Sequence, residues 1–246
     1  MIKNVSAVLI TRDVAHCIRK ALDSLSVFEE VIVYDNGSTD GTLEILAEYK
    51  NVQCIQGEFL GFGPTKQKAV SYAKNDWVLS LDADESLSAD LIDSLGTFDF
   101  DTPGKVGVIW RHNYFLGQRV RYSGWGKDWL VRLFNRSCHN FNDAMVHENI
   151  NLSKDSQTIR LAGTIDHDAV TDVGQMLEKV SRYSSLRAAT QKKRYSMPMI
   201  VVKSLFAFFR TYVLRLGILD GKAGLVISVS NANGVFWKNT KRYFRK

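Results

Sequence analysis

The first 85 residues alternate short apolar runs with amphipathic stretches, and this alternation most constrains how the chain can fold. The apolar runs have the composition of strands buried on both faces, and the stretches between them have helical periodicity. Four predicted strands, residues 5–11, 30–35, 52–56 and 77–81, alternate with three predicted helices, residues 14–25, 42–49 and 65–74. Because repeated strand–helix–strand units form parallel sheets with right-handed crossovers, we expect an α/β fold with a Rossmann-like, mostly parallel sheet and flanking helices.

The fourth predicted strand ends in a cluster of acids. Asp82, Asp84 and Glu85 directly follow the apolar run Trp77–Leu81. Open α/β sheets bind ligands at the carboxyl ends of their strands, and two aspartates one residue apart suit a divalent cation with oxygen ligands. The alternative is a solvated turn whose acids lie at the start of the next helix. The acids alone do not decide between these two interpretations.

Two common phosphate-binding loops are missing from the sequence. No G-x-G-x-x-G follows the first predicted strand, and no G-x-x-x-x-G-K-[ST] occurs anywhere in the chain. These loops hold pyrophosphates and nucleoside triphosphates through their backbone N–H groups. The sequence therefore supports neither a dinucleotide-dependent oxidoreductase nor a P-loop protein.

From about residue 106 the pattern changes to further short strands and then to a basic helical tail. Strands are predicted at residues 106–115, 117–122, 129–134, 146–150 and 163–168, followed by a helix at residues 173–195. We expect one domain over residues 1–178, with two halves at 1–105 and 106–178. The remaining residues, 179–246, are expected to form a separate amphipathic helical segment.

Charge is divided sharply between these two regions. Residues 1–178 hold 17 of the 32 Lys and Arg and 25 of the 26 Asp and Glu, so residues 179–246 hold 15 cations and a single acid, Asp220. The cations of the tail alternate with aliphatic and aromatic runs, which suits an amphipathic helix on an anionic membrane surface and argues against nucleic acid as a partner. An amphipathic helix packed on the catalytic domain is the alternative for part of this segment.

The three cysteines are scattered, and the chain begins directly with a strand pattern where a signal peptide would have an apolar core. Isolated cysteines are typical of a reducing compartment. We therefore expect a cytoplasmic protein, attached peripherally to the inner face of the cell membrane.

Several modest motifs occur in a fixed order along the chain. They are Leu9–Asp13, Val33–Thr42, Trp77–Glu85, Val146–Glu148, His167 and Leu216–Gly221. In this ordered set the sequence resembles glycosyltransferase family 2, whose inverting enzymes have a nucleotide-sugar-binding GT-A fold. More narrowly, it resembles the branch that transfers glucose to heptose in the lipopolysaccharide core. One departure is the first motif, where Thr11-Arg12-Asp13 stands in place of the usual Thr-x-Asn-Glu.

The resemblance implies that residues 1–178 form the catalytic domain, with a donor half at 1–105 and an acceptor half at 106–178. It also implies a binding site for the nucleotide sugar. Thr11 and Asp35 would hold the uracil, and Lys66 would lie near the nucleotide. Asp82 would bind the ribose or assist a metal ion. The alternative for Asp35 is an aspartate that stabilises its own turn, and the alternative for Lys66 is a solvated helical lysine.

The resemblance also implies a metal ion and a catalytic base. Asp84 would ligate Mg²⁺ or Mn²⁺ bridging the diphosphate, and His167 would reach the same metal or diphosphate, unless it is a structural histidine. Glu148 would be the general base that deprotonates the acceptor, with His147 beside it as orienter or substitute. The alternative for these two residues is a surface His–Glu pair.

The function implied is an inverting, metal-dependent hexosyltransferase that transfers a sugar, in the first instance glucose, from a UDP-sugar to a lipid-linked glycan of the lipopolysaccharide core. An alternative within the family is transfer to polyprenyl phosphate or to another cell-surface glycan. An alternative of another class is a non-catalytic protein whose basic tail binds membrane or nucleic acid. Trp125, Trp129 and Arg132 are expected to shape the acceptor side, and core packing is the alternative for the two tryptophans.

Overall fold

Four parallel strands form one half of a mixed sheet in the computed structural model, which describes residues 1–146, 148–190 and 193–245. These strands are β1 (Ile2–Thr11), β2 (Phe28–Asp35), β3 (Val52–Gln56) and β4 (Trp77–Ser80), and they lie in the order β3-β2-β1-β4. The register pairs Thr11 with Asp35 at the carboxyl ends of β1 and β2. The parallel half therefore presents polar side chains at one edge, as the sequence predicts.

Three short helices connect these strands, namely α1 (Ile18–Ser24), α2 (Thr42–Leu46) and α3 (Phe62–Ser71). Helices lie on both faces of the sheet, because Leu9 of β1 packs in one apolar cluster with α1 and α2, whereas its neighbour Val8 packs in a second cluster with Ala69 of α3. Alternate residues of a strand point to opposite faces, so β1 is buried on both sides. The predicted doubly wound arrangement is confirmed for this half.

The second half of the sheet is built mainly from antiparallel strands. Its elements are β5 (Glu85–Leu87), α4 (Ala89–Gly96), β6 (Lys105–Phe115), β7 (Gln118–Val120), β8 (Trp129–Asn135) and β9 (Gln157–Val170). β8 runs antiparallel to β4, and β5 runs antiparallel to β9. The α/β fold class is confirmed, but the parallel pairing is confined to the first four strands, so the sheet is mixed where a mostly parallel one was expected. The strand expected at residues 146–150 is wrong, since the described part of that segment contributes only a bridge from Ile150 to Phe141.

The chain divides into two compact units. The first comprises Met1–Arg111 and Trp129–His167, and the second comprises His112–Asp128 and Asp168–Lys246. In this division by packing, the second unit takes up the chain again at Asp168. The domain boundary expected from the change in charge lies at residue 178.

The second unit is mainly helical. It contains α5 (Val173–Thr190), α6 (Met197–Phe209), a π-helical turn (Arg210–Leu214), a 3₁₀ turn (Gly217–Asp220) and α7 (Gly221–Tyr243). α6 packs on α7, and the hydroxyl of Ser204 donates a hydrogen bond to the carbonyl of Ala232 at 2.6 Å. Among the described residues, one stretch, Met197–Leu214, is long and apolar enough to cross a membrane, with a mean hydropathy of 1.4.

Candidate functional site

Thr11 and Asp35 meet where β1 and β2 end, and both side chains are buried. One oxygen of Asp35 accepts hydrogen bonds from the backbone N–H groups of Gly37 and Ser38, at 3.0 and 2.8 Å. The other accepts from the hydroxyls of Ser38 and Thr11, at 2.5 and 2.8 Å. This is the turn-stabilising arrangement that the sequence left as an alternative. Contact between this pair and uracil stays a prediction.

Lys66 lies in the middle of α3, and its side chain is buried. The Nζ atom is 2.7 Å from an oxygen of Asp82 and 2.6 Å from an oxygen of Glu148. The solvated lysine considered as an alternative is therefore wrong. A single buried ammonium joins the strand-end acid to the glutamate expected to be the base, although the two are far apart in the sequence.

Two arginines extend this ionic network. Arg132 of β8 is 2.8 Å from Asp82 and 2.6 Å from Glu85. Arg111 of β6 is 2.8 Å from Glu85, whose side chain has no exposed area. The other oxygen of Glu85 accepts the backbone N–H of Asp82 at 3.0 Å. Glu85, whose role the sequence left open, is thus a buried acid that fixes the strand end and holds two arginines.

The charges in this network set the protonation of Asp82 and Lys66. Burial alone would raise the pKa of Asp82, but Arg132 and Lys66 hold that pKa well below its usual range. Burial likewise would lower the pKa of Lys66, but Asp82 and Glu148 leave it above its ordinary value. Opposite charges within a few ångströms favour the charged forms. Asp82 is therefore an ionised carboxylate that already has two cationic partners.

The segment that carries Glu148 is docked on the first half of α3. The backbone N–H of Gly63 donates to the carbonyl of Ala144 at 2.9 Å, and the side chain of Gln67 donates to the carbonyl of Phe141 at 2.7 Å. A Cβ atom on Gly63 would lie 2.0 Å from the carbonyl oxygen of Asn142, so only glycine allows this approach. α3 therefore supplies Lys66 and also positions the chain that brings Glu148 to it. His147 lies outside the described residues.

Asp84 and His167 approach each other in the same unit. Their Oδ2 and Nε2 atoms are 3.4 Å apart, and His167 is in register with Glu85 in the β5–β9 pair. Within the described ranges, no group of three or more His, Cys, Asp and Glu side chains is placed to hold a metal ion. Magnesium in nucleotide sites is commonly held by one or two protein carboxylates together with substrate phosphates. The carboxylate of Asp84 fits that kind of donor set, and the imidazole of His167 lies beside it.

Arg111 was not among the site residues predicted from the sequence. Arg132, which was expected to shape the acceptor side, is buried among the acids of the network, and its part in acceptor binding stays a prediction. Trp129 instead stacks on Trp110, with ring centroids 5.7 Å apart, and Arg160 lies over its ring. The sequence does carry a signal for the two arginines, because each follows directly on an apolar run within its strand. A cation within a buried strand requires a carboxylate partner.

Comparison with known proteins places these residues in a family context. The sequence profile described as "Glycosyl transferase family 2" matches residues 6–153. That range contains Thr11, Asp35, Lys66 and the whole Asp82–Glu85 segment, and it ends beyond Glu148.

Similar proteins and structures are also known over almost the whole chain. An uncharacterized glycosyltransferase of Rickettsia prowazekii is 28% identical, over 97% of this chain and 86% of that protein. The lipopolysaccharide core biosynthesis glycosyltransferase LpsC of Rhizobium meliloti is 24% identical, over 92% of this chain and 87% of that protein. The structure of S. aureus TarS 1-349 in complex with UDP aligns with a TM-score of 0.48 at 14% identity, over 97% of this chain and 90% of that one.

The buried network yields a prediction about stability. Substitution Arg132→Met removes a buried cation and leaves Asp82 and Glu85 with one fewer partner. Breaking a buried ion pair from one side costs about 3–5 kcal/mol. We expect the free energy of unfolding, measured by urea denaturation followed by circular dichroism, to fall by about that amount.

The matched control is Arg19→Met. Arg19 forms a bidentate pair with Glu48 on the surface, where both side chains are about half exposed and solvent screens the interaction. This substitution should leave stability nearly unchanged. Equal losses in the two variants would contradict the role given to the buried network.

Proposed function

Because this chain belongs to glycosyl transferase family 2, we propose that it transfers a sugar from a UDP-sugar to a heptose-containing acceptor of the lipopolysaccharide core. Glucose is the sugar that we propose first. The reaction is a direct displacement at the anomeric carbon, which inverts its configuration and needs one general base. The observation that carries the proposal is that Lys66 holds both Asp82, from the acidic strand end, and Glu148 within 2.7 Å.

The choice of acceptor rests on relatives and on the motif order. LpsC, a relative over most of its length, is described as a lipopolysaccharide core biosynthesis enzyme. The ordered motifs from Leu9–Asp13 to Leu216–Gly221 resemble the same branch. Transfer to polyprenyl phosphate or another cell-surface glycan is the competing outcome of the experiments below.

In the proposed mechanism the acids divide the work between them. Glu148 accepts the proton of the acceptor hydroxyl while the sugar leaves UDP, since a general base has to lie within hydrogen-bond reach of that proton. Lys66 and Arg132 hold Asp82 ionised for the ribose. Lys66 also fixes the position of Glu148 before the acceptor arrives, because the two side chains form an ion pair at 2.6 Å.

Asp84 and His167 would hold Mg²⁺ or Mn²⁺. Such an ion neutralises the negative charge that builds up on the leaving diphosphate. The support for this assignment is the approach of the carboxylate and the imidazole to 3.4 Å, next to the network that holds Asp82.

The proposed acceptor is lipid-linked, so the enzyme has to work at a membrane. The helical tail has 15 cations and one acid over residues 179–246, a balance that suits peripheral attachment to the anionic inner face of the cell membrane. We propose a cytoplasmic, membrane-attached enzyme on this basis.

A panel of UDP-sugars tests the donor and the acceptor together. With heptose-containing core lipid as acceptor, UDP-glucose should release UDP faster than the other UDP-sugars, and product should carry a single added hexose by mass spectrometry. Release that requires polyprenyl phosphate would replace the acceptor proposed here. Release with no UDP-sugar under any condition would remove the proposed donor class.

Substitution Glu148→Gln tests the base. The amide keeps the size of the side chain but cannot accept the proton, so transfer should fall by about 10²–10⁴-fold, while UDP affinity measured by calorimetry stays close to that of the wild type. Asp143→Asn, on the same segment but exposed, should retain activity. Wild-type transfer by the Glu148 variant would refute the assignment.

Substitution Asp84→Asn tests the metal ligand. Calorimetric titration of UDP with and without Mn²⁺ should show metal-enhanced binding in the wild type and its loss in the variant, because a neutral amide is a weaker ligand for a hard cation than a carboxylate. The control is Asp90→Asn, an exposed acid in the first turn of α4, which should bind as the wild type does. Unchanged metal enhancement in Asp84→Asn would exclude this residue from the metal site.

A further inference from the structure

The turn between α6 and α7 exposes an unusual amount of apolar surface. Here the name "α6–α7 turn" is used for residues 209–219. Six large apolar side chains of this turn are between 44 and 61% exposed, namely Phe209, Val213, Leu214, Leu216, Ile218 and Leu219. Exposed apolar patches of this kind mark interaction sites, because a soluble protein gains nothing by leaving them in water.

The backbone of the turn is fixed from its inner side. Leu216 adopts a left-handed conformation with φ of 55°, which is strained for a residue with a side chain. Gly217 follows it, and a Cβ atom there would lie 2.8 Å from the carbonyl oxygen of Thr211. Close inner packing thus holds a conformation that points the leucines outward. The apolar side chains of the turn are therefore exposed by a fixed backbone conformation.

Asp220 anchors the end of the turn within the same unit. Its carboxylate accepts the backbone N–H groups of Arg121 and Tyr122 and the hydroxyl of Ser123, at 2.8 to 3.2 Å. Asp220 is buried, and it is the one acid in the described residues 193–245. The surface of this helical pair therefore presents cations and apolar groups without a carboxylate of its own.

Cations surround the apolar turn. Arg210, Arg215 and Lys222 are exposed within or just beyond it. Further along the helices, burial and then the charges of Arg242, Arg187, Lys203 and Arg210 lower the pKa of Lys238. A surface with leucines at its tip and cations beside them complements a bilayer with anionic phosphates above its acyl chains.

We propose that the α6–α7 turn inserts into an anionic phospholipid bilayer as a monotopic anchor. Its six apolar side chains enter the boundary between headgroups and acyl chains, and Arg210, Arg215 and Lys222 bind lipid phosphates. The inference takes membrane attachment from the proposed function and identifies the element responsible. It differs from a flat helix or a spanning helix, because α6 ends at Phe209 and the chain returns along α6 as α7.

Vesicle sedimentation with the full chain tests the insertion. Wild-type protein should sediment with vesicles of phosphatidylcholine and phosphatidylglycerol, and the double variant Leu214→Glu/Leu219→Glu should bind them at least about tenfold more weakly. The matched control is Leu177→Glu/Leu186→Glu on α5, where the two leucines are 59 and 52% exposed. The control should bind as the wild type does. Thermal melts establish that each variant is folded.

Equal binding by the turn variant and the wild type would overturn the proposal, and so would an equal loss in the control. The charge component has its own variant, Arg210→Gln/Arg215→Gln/Lys222→Gln. It should weaken binding to anionic vesicles and leave the residual binding to pure phosphatidylcholine unchanged. Equal weakening on both lipids would remove the phosphate contacts from the proposal.

A fluorescence measurement locates the inserted element even if the leucine variants do not fold. The three native cysteines, Cys17, Cys54 and Cys138, are replaced by serine, and Ile218→Cys or Val202→Cys is labelled with an environment-sensitive dye. Nitroxides on the acyl chains should quench the dye at position 218 more strongly than the dye at 202, on the exposed side of α6. Stronger quenching at 202 would show that α6 lies flat instead, which overturns the proposal.

Failure of this inference can be told apart from failure of the proposed function. UDP release with a water-soluble core oligosaccharide as acceptor does not require a bilayer, so the turn variant should retain it. Loss of vesicle binding with retained transfer supports the anchor. Wild-type protein that binds vesicles through position 218 but releases no UDP would leave the anchor standing and remove the proposed transferase reaction.

Discussion

The first unit depends on one constraint, the burial of Lys66 and Arg132. Moving a charged group out of water costs several kcal/mol, and carboxylates at hydrogen-bond distance have to offset that cost. Asp82, Glu85 and Glu148 supply them, from a strand end and from a distant segment. The same ion pairs therefore hold β4, β8 and α3 together and assemble the site, so its geometry is tied to the stability of the unit.

This network also separates acids that look equivalent in the sequence. Glu85 is fully buried between two arginines, and Asp82 is ionised between Lys66 and Arg132. Asp84 points instead to His167. Three carboxylates within four residues thus lie in three different environments. The environment of a carboxylate determines whether it binds a cation, a hydroxyl or a proton. The division of labour in the proposed reaction follows from these differences.

In the second, mainly helical unit, the main electrostatic feature is the excess of cations in the tail. Its described tail carries one acid, Asp220, whose carboxylate accepts the backbone N–H groups of Arg121 and Tyr122 and the hydroxyl of Ser123. The outward surface of α6 and α7 is therefore basic and apolar. If Asp220 were on the surface, its hydrogen bonds to residues 121–123 would be lost. Its negative charge would also interrupt the positively charged surface of α6 and α7. The burial of Asp220 leaves the α6–α7 turn without a surface carboxylate, as the proposed insertion into an anionic bilayer requires.

Local pattern alone determined the alternating strands and helices of the first half, because apolar periodicity depends on neighbours in the chain. It also placed Asp35 and Asp82 at strand ends. Only the tertiary structure decided that Lys66 is buried, that it meets Glu148, and that Arg132 belongs to the network. The strand expected at residues 146–150 is wrong, and Glu148 from that segment is instead ion-paired with Lys66 of α3. Such contacts join residues far apart in sequence. Local periodicity therefore cannot predict which distant carboxylate a buried cation will pair with.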